Sequence, residues 1–228
     1  MAASRGSGAT VRASRAAGRT AAERTSGAAP EGRRARNKRD KLGRITRAAS
    51  ELFREQGFDE TTARAICERA GIATGTLFLY VRDKRELLLL LFRPLAERAF
   101  ARLPVGLRDG EQLVDGLVHL FGAFFRIYAR DPLLARVFVQ ELFFRSDQGA
   151  EMRALSRELE ARVARIVDDA RARGALRTDV PARRQTAALL AHYAMWIQLW
   201  LGTGVASRRA AERGLRDALV LQVEGLAP

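Results

Sequence analysis

The chain holds one cysteine, two histidines and three lysines in 228 residues, and each shortage closes off a class of function. Cys67 by itself excludes an internal disulfide and suits a reducing compartment. His119 and His192 with one cysteine do not make a transition-metal site, so neither a metal nor a cofactor is expected. No apolar run reaches the roughly 18 residues of a membrane span, so no membrane partner is expected either. The first residues lack the apolar core of a secretory signal. Their Arg-, Ser- and Ala-rich, acid-poor character resembles a mitochondrial transit peptide in composition, a lesser alternative to the cytoplasmic location expected here. No Ser/His/Asp set, phosphate-binding glycine loop or pair of carboxylates stands out, so an enzyme is not expected.

Positive charge, by contrast, is abundant. Arginine supplies 37 of the 40 basic side chains, and the formal net charge is +14. Such a balance favours polyanions. Residues 1–86 carry 19 basic against 10 acidic groups, and the remainder 21 against 16. Residues 1–36 contain 8 Arg and 2 Glu among Ala, Gly, Ser and Thr, with Val11 the one large aliphatic side chain. This segment buries too little apolar surface to offset chain entropy and is expected to be a disordered basic arm. Two readings of it carry equal weight, a dispensable extension and a non-specific DNA contact through phosphate neutralisation.

From Asn37 the pattern becomes helical. Ile45, Ala48, Ala49, Leu52 and Phe53 recur at helical spacing, and Gly57 ends that helix. Thr61 and Thr62 precede a second helix, Ala63 to Ala70, which buries Ile66, Cys67 and Ala70. Gly71 turns the chain into a third helix over 74–80. Asp83 and Glu86 form a D-x-x-E capping box for a fourth, reaching about Leu103. Further helices follow over 111–129, from Asp131–Pro132 to about Phe144, from Gly149 to near Gly174, from Pro181 to Leu201, and over 207–225. With no alternating strand pattern, the fold class is all-α with about nine helices. Three parts are expected: a basic arm at 1–36, a head at 37–86 and a larger helical part at 87–228.

Two short helices joined by a tight turn cross steeply only when small residues meet at the crossing and the turn accepts positive φ. Gly71, Cys67 and Ala70 meet those conditions, while Ile66, Ile72, Leu77 and Tyr80 face inward. This is a helix-turn-helix, whose second helix enters the DNA major groove. An ordinary helical hairpin is the bland alternative. Cys67 reads as a small buried thiol rather than a redox sensor.

The stretch "TTARAICERAGIATGTLFLYVRDKREL", residues 61–87, resembles the DNA-binding domain of the tetracycline-repressor (TetR) family. Thr61, Thr62, Arg64, Ile66, Ala70, Gly71, Gly75, Thr76, Leu77, Tyr80, Lys84 and Leu87 match the family's pattern. The resemblance implies a homodimeric regulator with a ligand-responsive C-terminal domain. It places Arg64, Thr74, Gly75, Thr76 and Phe78 where the family touches bases, and Thr62, Tyr80 and Lys84 where it grips phosphates. Departures fall at Ala73 in place of a capping serine, Phe78 in place of tyrosine, and Leu79, Val81 and Cys67. Base readout therefore leans on Arg64, since an arginine bidentate to guanine supplies about 1–3 kcal/mol of discrimination.

In the C-terminal part, residues 182–201 are apolar on two adjoining faces, as expected of a helix buried from two directions. Leu190, Ile197 and Leu201, with Leu215, Leu219 and Val223 of the last helix, are the candidate dimer interface. Phe121, Phe124, Phe125 and Tyr128, with Phe138, His192, Tyr193 and Trp196, are the candidates to line a pocket for a small apolar or amphipathic ligand. Solid core is the commoner fate of such aromatic stripes. The expected function is a sequence-specific, double-stranded-DNA-binding transcriptional regulator, a ligand-responsive repressor acting as a homodimer on a pseudo-palindromic operator. The alternatives are a regulator without a small-molecule effector and a basic architectural nucleic-acid-binding protein.

Overall fold

The computed structural model describes residues 32–144, 149–204 and 206–225. Residues 1–31, most of the expected basic arm, lie outside the described residues. Among the described residues there are nine α-helices, one π-helical turn and no strand. They are α1 (Arg33–Gln56), α2 (Ala63–Ala70), α3 (Thr74–Leu77), α4 (Lys84–Arg102) and α5 (Leu113–Tyr128). α6 (Pro132–Phe144), α7 (Ala150–Ala172), α8 (Ala182–Ile197), the π-helical turn (Gln198–Gly202) and α9 (Arg208–Glu224) complete it.

The first helix begins at Arg33, four residues ahead of the expected start, so the end of the presumed arm is helical. Gly57, at φ 88°, ends α1, and Phe58 folds back so that its ring centroid lies 5.0 Å from that of Phe53. The third helix is shorter than expected. Regular α-helix covers only Thr74–Leu77, and Leu79 and Tyr80 then close i→i−3 turns onto Thr76 and Leu77. Ala73 offers no side-chain cap, so little holds a longer helix open against these tighter turns. Asp83 caps α4 by accepting from the amides of Arg85 and Glu86, and Glu86 reaches back to the amide of Arg82 at 2.7 Å. Mid-way along α4, Pro94 lacks the amide that would bond to the preceding turn.

One continuous apolar core runs from the head into the body, from Ile45 and Ile66 through Leu87 and Leu88 to Phe121, Val163 and Tyr193. Ion pairs cross the same boundary. Arg54 of α1 pairs with Asp131 at the start of α6, and Arg85 of α4 pairs with Glu141 of α6 at 3.4 Å.

Several arginines that raise the overall charge are consumed within the body as carbonyl staples. Arg162 donates to the carbonyls of Leu103 and Pro104 at the end of α4. Arg173 holds the loop before α5 through Leu107, Arg108 and Glu111. Arg171 binds the carbonyls of Arg177, Thr178 and Val180. Five fixed donors on a planar cation suit this task better than a lysine would, which accounts for arginine excess far from any DNA-facing surface.

Candidate DNA-reading head and effector slot

Thr62 accepts from the amide of Ala65 and caps α2, which gives this residue a structural role beside its expected phosphate contact. At the other end Gly71 adopts φ 62°, ψ 46°, and two bonds close the turn, Gly71 N–H to Glu68 and Ile72 N–H to Cys67. That pairing is a Schellman motif. Cys67 is 1% exposed. Burial pushes its thiol up, against a smaller opposite pull from the Thr74 side chain, so the reactive thiolate is disfavoured.

Leu77 is buried and anchors α3, while Tyr80 is half-buried beside it. Thr74 and Gly75 are exposed and Thr76 is partly so. Phe78 and Leu79 are 56% and 80% exposed, large apolar side chains left in solvent on the reading element. Arg64 projects from α2 with its guanidinium 2.8 Å from Glu68. An exposed i, i+4 pair of this kind is weak, so the arginine is free to exchange its partner for a base edge. Lys84 is placed differently. Its Nζ donates to the carbonyls of Phe58 and Asp59, each at 2.8 Å, and stands 4.6 Å from the centroid of the Phe58 ring. Two of its three N–H donors therefore tie α4 to the loop after α1.

The aromatic candidates of the body separate into two groups. Phe121 and Tyr193 stack at 4.5 Å, Phe125 stacks on Trp200 at 5.4 Å, and Phe143 meets Tyr193 edge-on. These fill the core. Phe124, Tyr128 and Phe138, with Phe92, Phe100 and Leu155, line an apolar slot between α4, α5, α6 and α7 whose free volume is about 20 Å³, the size of one water. Outside it a groove of about 390 Å³ between α4 and α7 shares Phe100 and Leu155 with the slot. Arg93 spans the mouth, paired with Glu97 at 2.7 Å and with Glu151 of α7 at 3.0 Å. Trp196 and His192 are elsewhere, on the α9 side of α8. The Trp196 ring covers Gly214, where any Cβ would meet it at 2.2 Å, and His192 pairs with Gln222 at 3.2 Å.

Two buried hydroxyls face each other beneath the slot. Tyr193 Oη has no partner at hydrogen-bonding geometry. Burial first, and then the nearby Tyr128, raises it well above an ordinary phenol. Burial pushes Tyr128 up to about 12, against a smaller opposite pull from Tyr193. Both stay neutral in the folded chain to higher pH than in the unfolded one. The stability this represents is whole below pH 10 and is lost as pH rises from 10 towards about 12. Tyr128 contributes about 2–3 kcal/mol of that loss. Urea unfolding at about pH 9 and about pH 11.5 measures it, and equal stabilities there would show that neither hydroxyl is buried in solution.

The expected dimer residues also divide. Ile197, Leu201, Leu215 and Leu219 are 7% exposed or less and belong to the chain's own core, whereas Leu190 and Val223 remain half-buried. Helical spacing alone does not say which of two apolar faces meets the same chain. Met195, 58% exposed on α8, and Leu221, 70% exposed on α9, are the large apolar side chains these helices leave in solvent, and neither was a candidate.

A capped second helix, a left-handed glycine turn and a short projecting third helix define a helix-turn-helix DNA-binding protein with an all-helical body. Residues 45–91 match the family of bacterial regulatory proteins, tetR family, and residues 110–204 match the tetracyclin repressor-like C-terminal domain. Thermus thermophilus FadR, a TetR-family transcriptional repressor solved with lauroyl-CoA, is 31% identical, with 82% of this chain and 95% of that one covered at TM-score 0.59. This chain belongs to the TetR family and is a DNA-binding transcriptional regulator. FadR from Bacillus subtilis, solved with stearoyl-CoA, shares the fold at TM-score 0.65 and 20% identity, over 81% of this chain and 98% of that one. Among curated proteins, the fatty acid metabolism regulator protein of Bacillus subtilis (strain 168) is 29% identical over 107 residues, 47% of this chain and 55% of that protein. The transcriptional regulator UidR of Escherichia coli (strain K12) is 35% identical over 80 residues, 34% of this chain and 41% of that one. The chain thus spans about half the length of the curated relatives it matches. These relatives are named as regulators, which bears out the expectation of a regulator rather than an enzyme.

Proposed function

We propose that this protein is a cytoplasmic, homodimeric repressor released from its operator by a ligand with a long apolar tail. The observation that carries the reading is the aromatic slot, because its walls are the same helices that hold the head. Phe92 and Ala96 come from α4 and Phe138 and Leu142 from α6; Arg85–Glu141 ties these two helices, and Asp131 just ahead of α6 ties to Arg54 of α1. A tail wedged between them separates α4 from α6 and re-aims the heads. Only a ligand that prefers the widened state shifts the population. The similarity to a repressor solved with lauroyl-CoA supports an acyl-CoA, its tail in the slot and its polar end in the outer groove.

At the head, Arg64, Thr74, Gly75, Thr76 and Phe78 are assigned to bases, and Thr62 and Tyr80 to phosphates. Two heads read successive major grooves when they stand about 34–36 Å apart or a multiple of that. The dimer is assigned to the outer faces of α8 and α9, where Met195 and Leu221 are exposed. Met195→Glu combined with Leu221→Glu is expected to turn a dimer into a monomer in sedimentation and to abolish operator binding. A variant that stays dimeric would move the interface elsewhere.

Selection of bound sequences from a random duplex pool, followed by challenge with lauroyl-CoA, stearoyl-CoA and the free fatty acids, tests the whole reading. A pseudo-palindromic site released by the thioesters supports it. The absence of any such site ends the dimeric-operator assignment. A site that none of these ligands releases favours the second reading, a regulator without a small-molecule effector, to which the nearly filled slot already points.

A further inference from the structure

From Arg54 onward the cations of the head are satisfied within the chain. Arg54, Arg64, Arg69, Arg82 and Arg85 each meet a carboxylate, and Lys84 meets two carbonyls. The first half of α1 is the exception. Residues 33–47 hold eight basic side chains and one acid, Asp40. Among the described residues, Arg34, Lys38 and Lys41 make no ion pair, and all three are exposed. They recur at i, i+4 and i+7 and so share one face of the helix. Lower on α1 that same face buries Ile45, Ala48, Ala49 and Leu52. Above Ile45 it has no core to meet. It forms instead one wall of a groove of about 360 Å³ whose other wall is Leu79 and Tyr80, the end of the reading element.

We propose that Arg34, Lys38 and Lys41 form a phosphate clamp for duplex DNA, and that this ridge of α1 carries the backbone grip that Lys84 does not. The inference rests on the reading of α3 as the element that faces DNA. Three like charges on one helix face repel one another unless an anion lies between them, and Tyr80 beside them is itself assigned to a phosphate. A DNA strand passing the end of α3 brings its phosphates into this groove while the bases remain within reach of Arg64 and Phe78. The clamp adds affinity without sequence preference, because phosphates carry none.

The test measures binding of the full-length chain to a labelled random-sequence duplex and to a duplex enriched by selection. Affinity is followed from about 50 to about 200 mM salt. With Arg34→Gln, Lys38→Gln and Lys41→Gln combined, the slope of log affinity against log salt falls in magnitude by about 2.7 for each protomer bound, and so by about 5.4 for the dimer, on both duplexes. The affinity lost between those two salt concentrations is then about 40-fold smaller per protomer, on the order of 1,000-fold smaller for the dimer, than for the parent chain. Because these side chains lie outside the core, an unchanged helical circular dichroism spectrum is expected. A parent slope retained in the triple variant overturns the clamp. Lys84→Gln is expected to lower the melting temperature and leave the slope alone. A slope reduced by about 0.9 per protomer, about 1.8 for the dimer, with an unaltered melting temperature returns the phosphate grip to Lys84. If the parent binds both duplexes equally while the triple variant still lowers the slope, the base-reading assignment of α3 fails and the clamp stands.

Discussion

Phe121→Ala is expected to lower unfolding stability by about 3–5 kcal/mol, the cost of emptying a large aromatic site in a packed interior. Phe121 is fully buried and its ring stacks on Tyr193 at 4.5 Å. Tyr193 in turn meets Phe124, Phe125 and Phe143 edge-on, so the cavity opens where α5, α6 and α8 and the π-helical turn converge. Urea unfolding followed by tryptophan fluorescence reads the change, since Trp200 stacks on neighbouring Phe125. The companion variant is Tyr193→Phe. It keeps the stacked ring and removes a hydroxyl with no hydrogen-bond partner, so stability is expected to hold or to rise by about 1 kcal/mol. A Tyr193→Phe chain as unstable as Phe121→Ala would mean that the hydroxyl is paired in solution and that the core rests on it.

Arg64→Ala is expected to leave the fold intact and to erase most of the preference for the selected duplex over a random one. The side chain is 83% exposed and pairs with the likewise exposed Glu68 on its own helix, so nothing in the core depends on it. An arginine bidentate to guanine gives about 1–3 kcal/mol, roughly a 5- to 150-fold difference in relative affinity. Its share of the readout is large because the neighbouring positions supply few polar groups: Ala73 has no cap to offer, Phe78 has no hydroxyl, and Leu79 presents a bare isobutyl group. Arg64→Lys should behave much like Arg64→Ala, because an ammonium does not reproduce the two-pronged contact. Anisotropy titrations of both duplexes decide it. If the preference survives Arg64→Ala, α3 reads the site through Thr74, Thr76 and Phe78 instead.

The head was legible before any coordinates because its constraints are local. Gly71 must accept positive φ, Thr62 must cap α2, Asp83 must cap α4, and small residues must stand at the crossing. Each of these is settled by a residue and its near neighbours in the chain, and each is found as expected. The boundaries of the longer helices were equally readable, since a Pro or Gly marks nearly every one. What a local pattern does not show is the partner of each apolar or charged face. Lys84 satisfies two carbonyls 25 and 26 residues away, and no local pattern announces that. Pro94 lies inside a good helical run, and the basic face of α1 straddles the expected boundary, with Arg34 in the expected arm and Lys38 and Lys41 in the first helix.

The sequence by itself determined an all-helical chain, the helix-turn-helix and its glycine turn, and the family to which they belong. Periodicity and capping act within a turn or two of helix, so they survive being read one residue at a time. Only the tertiary structure decided which aromatics fill the core and which line a slot, and which leucines of α8 and α9 are interior. It also decided which arginines are already spent on carbonyls and that Arg34, Lys38 and Lys41 stand exposed on one face of α1. Those outcomes depend on which helix face meets which neighbour, and helical spacing is the same whether the neighbour is the chain's own core, a second copy, a ligand or DNA.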